Sequence, residues 1–408
     1  MWTRRQLLRT GALGFAALPW VRRARADVAS ERKFLFVLAY GGWDTTYVFS
    51  PMLGNPEIDG DPESTQAEAG GITFADAESR PMVRRFFETY GGRTCVVNGL
   101  QVRSLAHSVC LRDIMTGTLQ QTDDWPAILA GGGATGLLLP MVHLSGPSYT
   151  DAFGGQVIRV GSAGQLPSLL AGARSSAVVE GLEDAYASAR AEAAVARAGA
   201  GRAQALAAQA LQAEERLGRL QALGAEVDLA AGETLAERGA TIAELFERGL
   251  ARCGIVQHDG HRDIGWDTHG GNNSQSEHFE DLFTGLSAIL ADLGARAGTG
   301  EGASLADETT VVVLSEMNRF PRLNGREGKD HWPHTSAMLI GAGVRGGQVI
   351  GAYDDDFVGR PVDLVSGETV ESGTRLGPGN LGATLLQLGG IDPAIHIGDA
   401  TAIEAAIR

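Results

Sequence analysis

The chain has 408 residues, a hydrophobic fraction of 44% and a formal net charge of −15. This length can form one large domain or two smaller ones with a sizeable core. The first 26 residues contain six Arg and no acidic residue, so the remainder is more acidic still. Acidic surfaces repel phosphate backbones and anionic lipids, which argues against nucleic-acid and membrane-surface binding. The three cysteines allow one disulfide at most.

The N-terminal segment, residues 1–26, has the features of an export signal. Arg4 and Arg5 form a twin-arginine pair before a short apolar run, and an Ala-x-Ala cleavage pattern ends at Ala26. The apolar run is too short to span a bilayer. An ordinary basic N-terminal helix is the alternative interpretation. We expect the twin-arginine export machinery as a partner, and a periplasmic or otherwise extracytoplasmic location with no stable membrane span after cleavage.

Apolar runs of strand length alternate with helical patterns in the rest of the chain. Strands are predicted over residues 31–40, 94–97, 137–144, 156–160, 254–257, 309–315 and 335–341. Helices are predicted over residues 105–116, 279–293 and 376–388. The Ala-rich stretch 176–250 predicts a helical insertion that serves as a packing layer or cap. The alternation predicts one α/β domain, residues 30–408, with a mostly parallel central sheet flanked by helices.

Residue types that bind metal ions follow several of these predicted strands. They are Asp44, His107, Asp267, His269, Asp330, His331 and His334. Open α/β sheets bind ligands beyond the carboxyl ends of their strands. An extended backbone would direct Asp267 and His269 to one face, and a helical turn would do the same for His331 and His334. We therefore expect one or two divalent ions, with zinc, calcium, magnesium and manganese all open.

Several of these residues also have simpler interpretations. An Asp after Gly-Gly, such as Asp44, is often a turn residue or helix cap. His258 and His261 are minor candidates, because they are equally explained as solvated loop residues.

Four segments together resemble the secreted bacterial family called domain of unknown function 1501. They are FLFVLAYGGWDTT, LAHSVCLRDIMTG, GWDTHGGN and the long run VVVLSEMNRFPRLNGREGKDHWPHTSAMLIGAGVRGGQVIG, in the family's order. The resemblance implies an alkaline-phosphatase-like fold, shared with sulfatases and metal-dependent phosphoglycerate mutases. It also implies that Asp44, the pair Asp330-His331, and Asp267 with His269 bind two divalent metals.

The same resemblance implies a hydroxyl or thiol nucleophile at a helix start. Where family members often have Ser before the histidine of the second motif, this chain has Ala106. Ser108 is then the first candidate, followed by Ser104 and Thr45. Attack by water at a metal site is the alternative that needs no hydroxyl.

The resulting hypothesis is an exported metal-dependent hydrolase of phosphate or sulfate esters, with a small anionic ester as substrate. His107 or His334 would protonate the leaving oxygen, and Arg319 or Arg322 would hold an anionic oxygen. A non-catalytic exported binding or envelope protein, which keeps the fold and part of the metal site, is the rival hypothesis. The absent hydroxyl before His107 favours that rival.

Overall fold

The computed structural model describes residues 31–133, 136–160 and 232–408, with short pieces between 185 and 211. The strands are β1 Lys33–Ala39, β2 Thr65–Ala69, β3 Ile72–Asp76, β4 Thr94–Gln101, β5 Met141–His143, β6 Val157–Arg159, β7 Cys253–His258, β8 Thr309–Leu314, β9 Asn318–Arg319, β10 His331–Trp332, β11 His334–Gly341 and β12 Gln348–Ile350. The helices are α1 Pro81–Tyr90, α2 His107–Thr116, α3 Trp125–Gly131, α4 Leu235–Glu247, α5 Ser274–Ala295, α6 Pro378–Leu388 and α7 Ala394–Ile397.

Eight strands form a central sheet in the order β12-β4-β11-β8-β1-β7-β5-β6. Seven of them run parallel, and β11 alone is antiparallel, to both β4 and β8. In the middle of the sheet, Val37 of β1 aligns with Val256 of β7 and Val313 of β8. Fully apolar strands of this kind are typical of sheets covered on both faces. The predicted α/β fold with a mostly parallel sheet is therefore confirmed.

Alternate residues of β1 enter two separate apolar layers. Leu35 and Val37 pack with apolar residues of α1, α4 and α5 on one face of the sheet. Phe34 and Phe36 pack with apolar residues of α2, α3 and α6 on the other face. This follows from the two-residue period of a strand, which directs successive side chains to opposite faces. The sheet is thus held rigidly between helices, and its loops at the carboxyl edge are left to carry other functions.

Part of the predicted insertion belongs to the core of the domain. Helix α4 lies within the range 176–250, yet its Ile242 and Phe246 are buried against the sheet. Gly254 of β7 makes this close approach feasible, because a Cβ there would lie 2.5 Å from Ile242. Helical spacing could not separate a cap from a core helix. The leader and most of residues 161–231 lie outside the described residues.

The segment around the second Asp-His pair is extended and not helical. The helical turn predicted for residues 331–334 is wrong, because β10 pairs with β9 and His334 begins β11. All three cysteines are buried and free. Within the described part of the chain, no helix is both long enough and apolar enough to cross a bilayer.

Candidate metal centre

The carboxyl edge of the central sheet gathers loops from several strands. His107 follows β4 at the start of α2, Asp267 and His269 follow β7, and Glu316 follows β8. Because β11 is antiparallel, the residues that precede it, including His331, lie at this same edge. Loops from strands far apart in sequence therefore meet where open α/β sheets bind ligands.

Three of these side chains converge on one point. Ligand atoms of His107, Asp267 and His331 all lie within 4.8 Å of one another. Asp267 Oδ1 is 3.4 Å from His107 Nε2 and 3.3 Å from His331 Nε2. Ligands of a tetrahedral zinc ion are separated by about 3.3 Å, because each metal bond is about 2.0–2.1 Å long. The contacts to Asp267 therefore have the spacing of a divalent metal site.

His269 adjoins this three-residue core. Its Nε2 atom lies 3.3 Å from Asp267 Oδ1 and 2.9 Å from His331 Nε2. Two imidazole lone pairs at that separation would repel each other, so a proton or a cation must lie between them. The His269 side chain is 34% exposed, against 20% for His107 and 19% for His331. His269 therefore forms the open side of the cluster.

Each imidazole is oriented by an acceptor on its other nitrogen. These contacts are His107 Nδ1 to Glu316 Oε1 at 2.6 Å, His331 Nδ1 to the Leu105 carbonyl at 2.6 Å and His269 Nδ1 to Asp330 Oδ1 at 3.2 Å. A carboxylate or carbonyl oxygen only accepts, so Nδ1 donates in each case and the Nε2 lone pair is available to the cluster. Metal-binding histidines in proteins are oriented in this way.

Glu316 is a functional residue that the sequence reasoning missed. Its carboxylate is fully buried, accepts hydrogen bonds from the Gly41 backbone N–H, and receives Nδ1–H of His107. The approach depends on Gly41, whose φ is +123° and whose added Cβ would lie 2.8 Å from the Asp267 nitrogen. A glutamate directly beyond the most apolar strand was the available signal, since buried acids in such places need a partner.

Electrostatics concentrate positive charge at this cluster. Interactions with Asp267 and then Glu316 raise the pKa of His107 to about 9. Partial burial opposes ionisation of Asp267, but His107 and Arg319 together hold the pKa of its carboxyl well below the usual range. Burial, together with the charges of His107 and Arg319, lowers the pKa of His331. Without a metal, a proton on His107 takes the place of the cation that Asp267 and Glu316 favour.

Asp44 lies at this edge but is not brought into the cluster. It is fully buried, and Lys329 Nζ lies 2.7 Å from its Oδ2 atom. Asn272 donates to the same oxygen, while the backbone N–H and hydroxyl of Thr46 donate to Oδ1. Asp44 also caps the short helical turn Thr45–Tyr47. The structure thus gives Asp44 the cap role that the sequence had left as an alternative.

His334 and the two arginines are placed away from the roles first considered for them. His334 is buried at the start of β11, where its Nδ1 accepts the Gly359 N–H. Burial lowers the pKa of His334 to about 4, so it is neutral at physiological pH. Arg322 is a surface residue that pairs with Glu57.

Arg319 is a positioning residue within the loops of the site. Its side chain is fully buried and donates to the carbonyls of Gly41, Gly42, Trp266 and Lys329 and to Asp267 Oδ1. A guanidinium has five N–H donors, and these contacts engage them. Arg319 therefore joins the loops after β1, β7 and β9 and orients Asp267, so its guanidinium is not available for an anionic oxygen.

The candidate nucleophiles are not brought to the cluster. Ser108 is exposed on the residue after His107, where the helix directs its side chain away from its neighbour's. The hydroxyl of Ser104 accepts the Ala106 N–H, and Thr45 is buried with its hydroxyl bonded to Asn318. Among the described residues, no printed contact joins a hydroxyl to the three-residue core.

The donor set fits a divalent metal ion. His107 Nε2 is buried and has no well-formed hydrogen bond within the described structure, although Asp267 lies beside it. Burying such a nitrogen unpaired costs free energy. A cation bound by His107, Asp267 and His331 would satisfy it. Two imidazoles and a carboxylate suit zinc better than calcium or magnesium, which prefer oxygen ligands.

The fold is distantly similar to several solved structures. The lipoteichoic acid synthase LtaP from Listeria monocytogenes aligns with 93% of this chain and 77% of its own, at 9% identity and a TM-score of 0.43. A protein in the alkaline phosphatase superfamily from Vibrio parahaemolyticus aligns with 92% and 69%, at 12% identity and a TM-score of 0.40. The protein BT4656, in complex with its substrate D-glucosamine-2-N,6-O-disulfate, aligns with 91% and 81%, at 9% identity and a TM-score of 0.34. Likeness this distant says nothing of activity.

Sequence comparison identifies the family. No curated protein sequence matches the chain. A family model described as "Protein of unknown function (DUF1501)" matches residues 162–399, which is more than half of the chain. The matched range includes Asp267, His269 and His331, whereas His107 precedes it. The chain therefore belongs to the DUF1501 family of proteins of unknown function.

Proposed function

We propose that the protein is an exported metal-dependent hydrolase whose metal centre is held by His107, Asp267 and His331. The observation that supports this most is the common direction of the donor atoms. Imidazole nitrogens from separate loops and one carboxylate oxygen meet at a point, and each ring is fixed by an acceptor behind it. Such preorganisation is expected of a metal site and is costly to maintain without one.

The surroundings of the centre fit catalysis better than a purely structural role. Catalytic zinc sites have three protein ligands and an open position, whereas structural sites are closed by four. Here the three-residue core is flanked on its exposed side by His269. A bound divalent ion would neutralise and polarise an anionic ester group. Phosphate or sulfate esters are the substrate class that the sequence resemblance implies.

The chain's own residues would then divide the remaining work. Arg319 and Glu316 hold Asp267 and His107 in position. His269, oriented by Asp330, would deliver a proton from Nε2 to the leaving oxygen. With no hydroxyl in contact with the core among the described residues, we propose water as the attacking group.

A non-catalytic, metal-containing binding protein is the second candidate function. It is favoured by Ala106, which stands at the N-cap of α2, next to His107, without a side-chain oxygen. A protein of this kind would keep the ion and the fold but turn over no ester.

Metal content and turnover together test the proposal. Protein purified without chelator should contain zinc or a related ion, and it should hydrolyse at least one member of a panel of phosphate and sulfate esters. His331→Ala should lose both properties, whereas His396→Ala, on helix α7 outside the cluster, should keep them. An ion without turnover would favour the binding protein, and absence of any ion would contradict both candidates.

Export in the folded state is a separate proposal that rests on the leader alone. Replacing Arg4 and Arg5 by Lys should block export of a folded reporter fused after Ala26. Normal export of that variant would indicate the general secretory route.

A further inference from the structure

A lysine occupies the place beside Asp44 where the resemblance implies a metal ion. Lys329 directly precedes the Asp330-His331 pair, and its side chain is fully buried. Its ammonium lies 2.7 Å from Asp44 Oδ2, and neither side chain of this ion pair is exposed. A buried ammonium requires a partner of opposite charge, so Asp44 and Lys329 depend on each other.

Asp44 has no remaining capacity to coordinate a metal. An ionised carboxylate offers about four lone-pair sites. Two of them accept from Thr46, one from Asn272, and one faces Lys329. Binding an ion there would require displacement of a buried ammonium or loss of several hydrogen bonds.

The position of Lys329 is fixed by its backbone as well. Its N–H donates to the Thr268 carbonyl at 2.9 Å, between Asp267 and His269. Its own carbonyl accepts a hydrogen bond from Arg319. The loop that carries Lys329 is therefore attached to the loop that carries Asp267, and the ammonium cannot leave Asp44 without movement of the metal centre.

We infer that Lys329 is a built-in cation that replaces a second metal ion, so that the protein binds a single divalent ion at His107, Asp267 and His331. The inference rests on the proposed metal-dependent function and specifies its stoichiometry. It differs from the two-metal site that the family resemblance implies. Positive charge beside Asp44 is thus supplied by the fold, independently of metal supply or chelators.

Metal stoichiometry is the direct test. Elemental analysis of zinc-loaded, desalted wild-type protein should give one equivalent, and calorimetric titration of stripped protein with zinc should show one binding event. Two tight equivalents in the wild type would overturn the inference. No bound ion would remove the proposed function together with it, so the two failures are distinguishable.

A paired substitution tests Asp44 without leaving a buried charge. The double variant Asp44→Asn/Lys329→Met removes both charges, which a buried pair tolerates better than loss of one partner. It should keep one equivalent of zinc, with affinity within about threefold of the wild type. Lys33→Met/Glu308→Gln is the matched control, because it removes the ion pair of the chain's other lysine. Loss of zinc from the Asp44 variant but not from the control would overturn the inference.

Discussion

Two aspartates follow neighbouring parallel strands at one edge of the sheet, and their surroundings give them different roles. Asp44, after β1, is fully buried and faces an ammonium, an amide and a threonine. Asp267, after β7, is half exposed and lies among imidazole nitrogens. The contrast shows that a carboxylate at a strand end becomes a metal ligand only when its lone pairs are left free for an ion. Fixed donors otherwise make it a structural group.

The sharpest way to break this comparison is the same isosteric change at both positions. Asp267→Asn removes a charged ligand and should lower zinc affinity by more than about 100-fold, with a smaller effect on the stability of the metal-free protein. Asp44→Asn should retain zinc but destabilise the protein by about 3–5 kcal/mol, because Lys329 is left buried without a counter-charge. Metal titration and urea unfolding measure the two effects. Zinc loss in the Asp44 variant, under conditions where it is folded, would contradict the division.

A smaller effect is expected when only the orientation of a ligand is disturbed. Glu316→Gln replaces the acceptor of His107 Nδ1 and should weaken zinc binding by about 10–100-fold without abolishing it. Glu308→Gln, at the other buried glutamate ion pair, is the matched control and should leave zinc affinity unchanged. Equal affinities in the two variants would show that Glu316 does not act through His107.

The pH dependence of the metal-free protein compares two histidines with opposite surroundings. Asp267 and Glu316 raise the pKa of His107 to about 9, so its contribution is complete below the ordinary pKa near 6.5 and is lost as the pH rises through 9. Burial lowers the pKa of His334 to about 4, so its contribution is complete above 6.5 and is lost as the pH falls through 4. Each effect should be of order 1–2 kcal/mol.

Unfolding in urea between pH 4 and 9, after removal of metal, measures both slopes. His107→Gln should flatten the decline at alkaline pH, and His334→Gln should flatten the decline at acidic pH. His278 is also buried with a pKa lowered to about 4, so some acid sensitivity should remain in the His334 variant. Exchange of the two effects would contradict the charge assignment.

The smallest effect is expected at Ser108. Its exposed side chain has no printed contact with the centre, so Ser108→Ala should change stability by less than about 0.5 kcal/mol and leave zinc content unchanged. Turnover should persist if water attacks. Loss of turnover with zinc retained would identify Ser108 as the nucleophile, and His107→Ala provides the contrasting loss of zinc.

Much of the fold could be predicted from local patterns. The apolar run of β8 and the Gly-Gly that ends β1's loop are properties of short segments, and strand position alone places Asp267 at the carboxyl edge. The pattern did not reveal that β11 is antiparallel, since an apolar strand buried on both faces reads alike in either direction. It also assigned α4 to an insertion, because helical spacing does not show what a helix packs against.

By itself the sequence determined which residues could bind a metal and that they gather at one edge of an α/β sheet. Only the tertiary structure decided which of them have free lone pairs. Lys329 is adjacent to Asp330 in the chain but faces Asp44, and Glu316 lies 209 residues from the histidine it orients. Coordination and ion pairing depend on distances of a few ångströms between side chains, and packing of distant loops sets those distances.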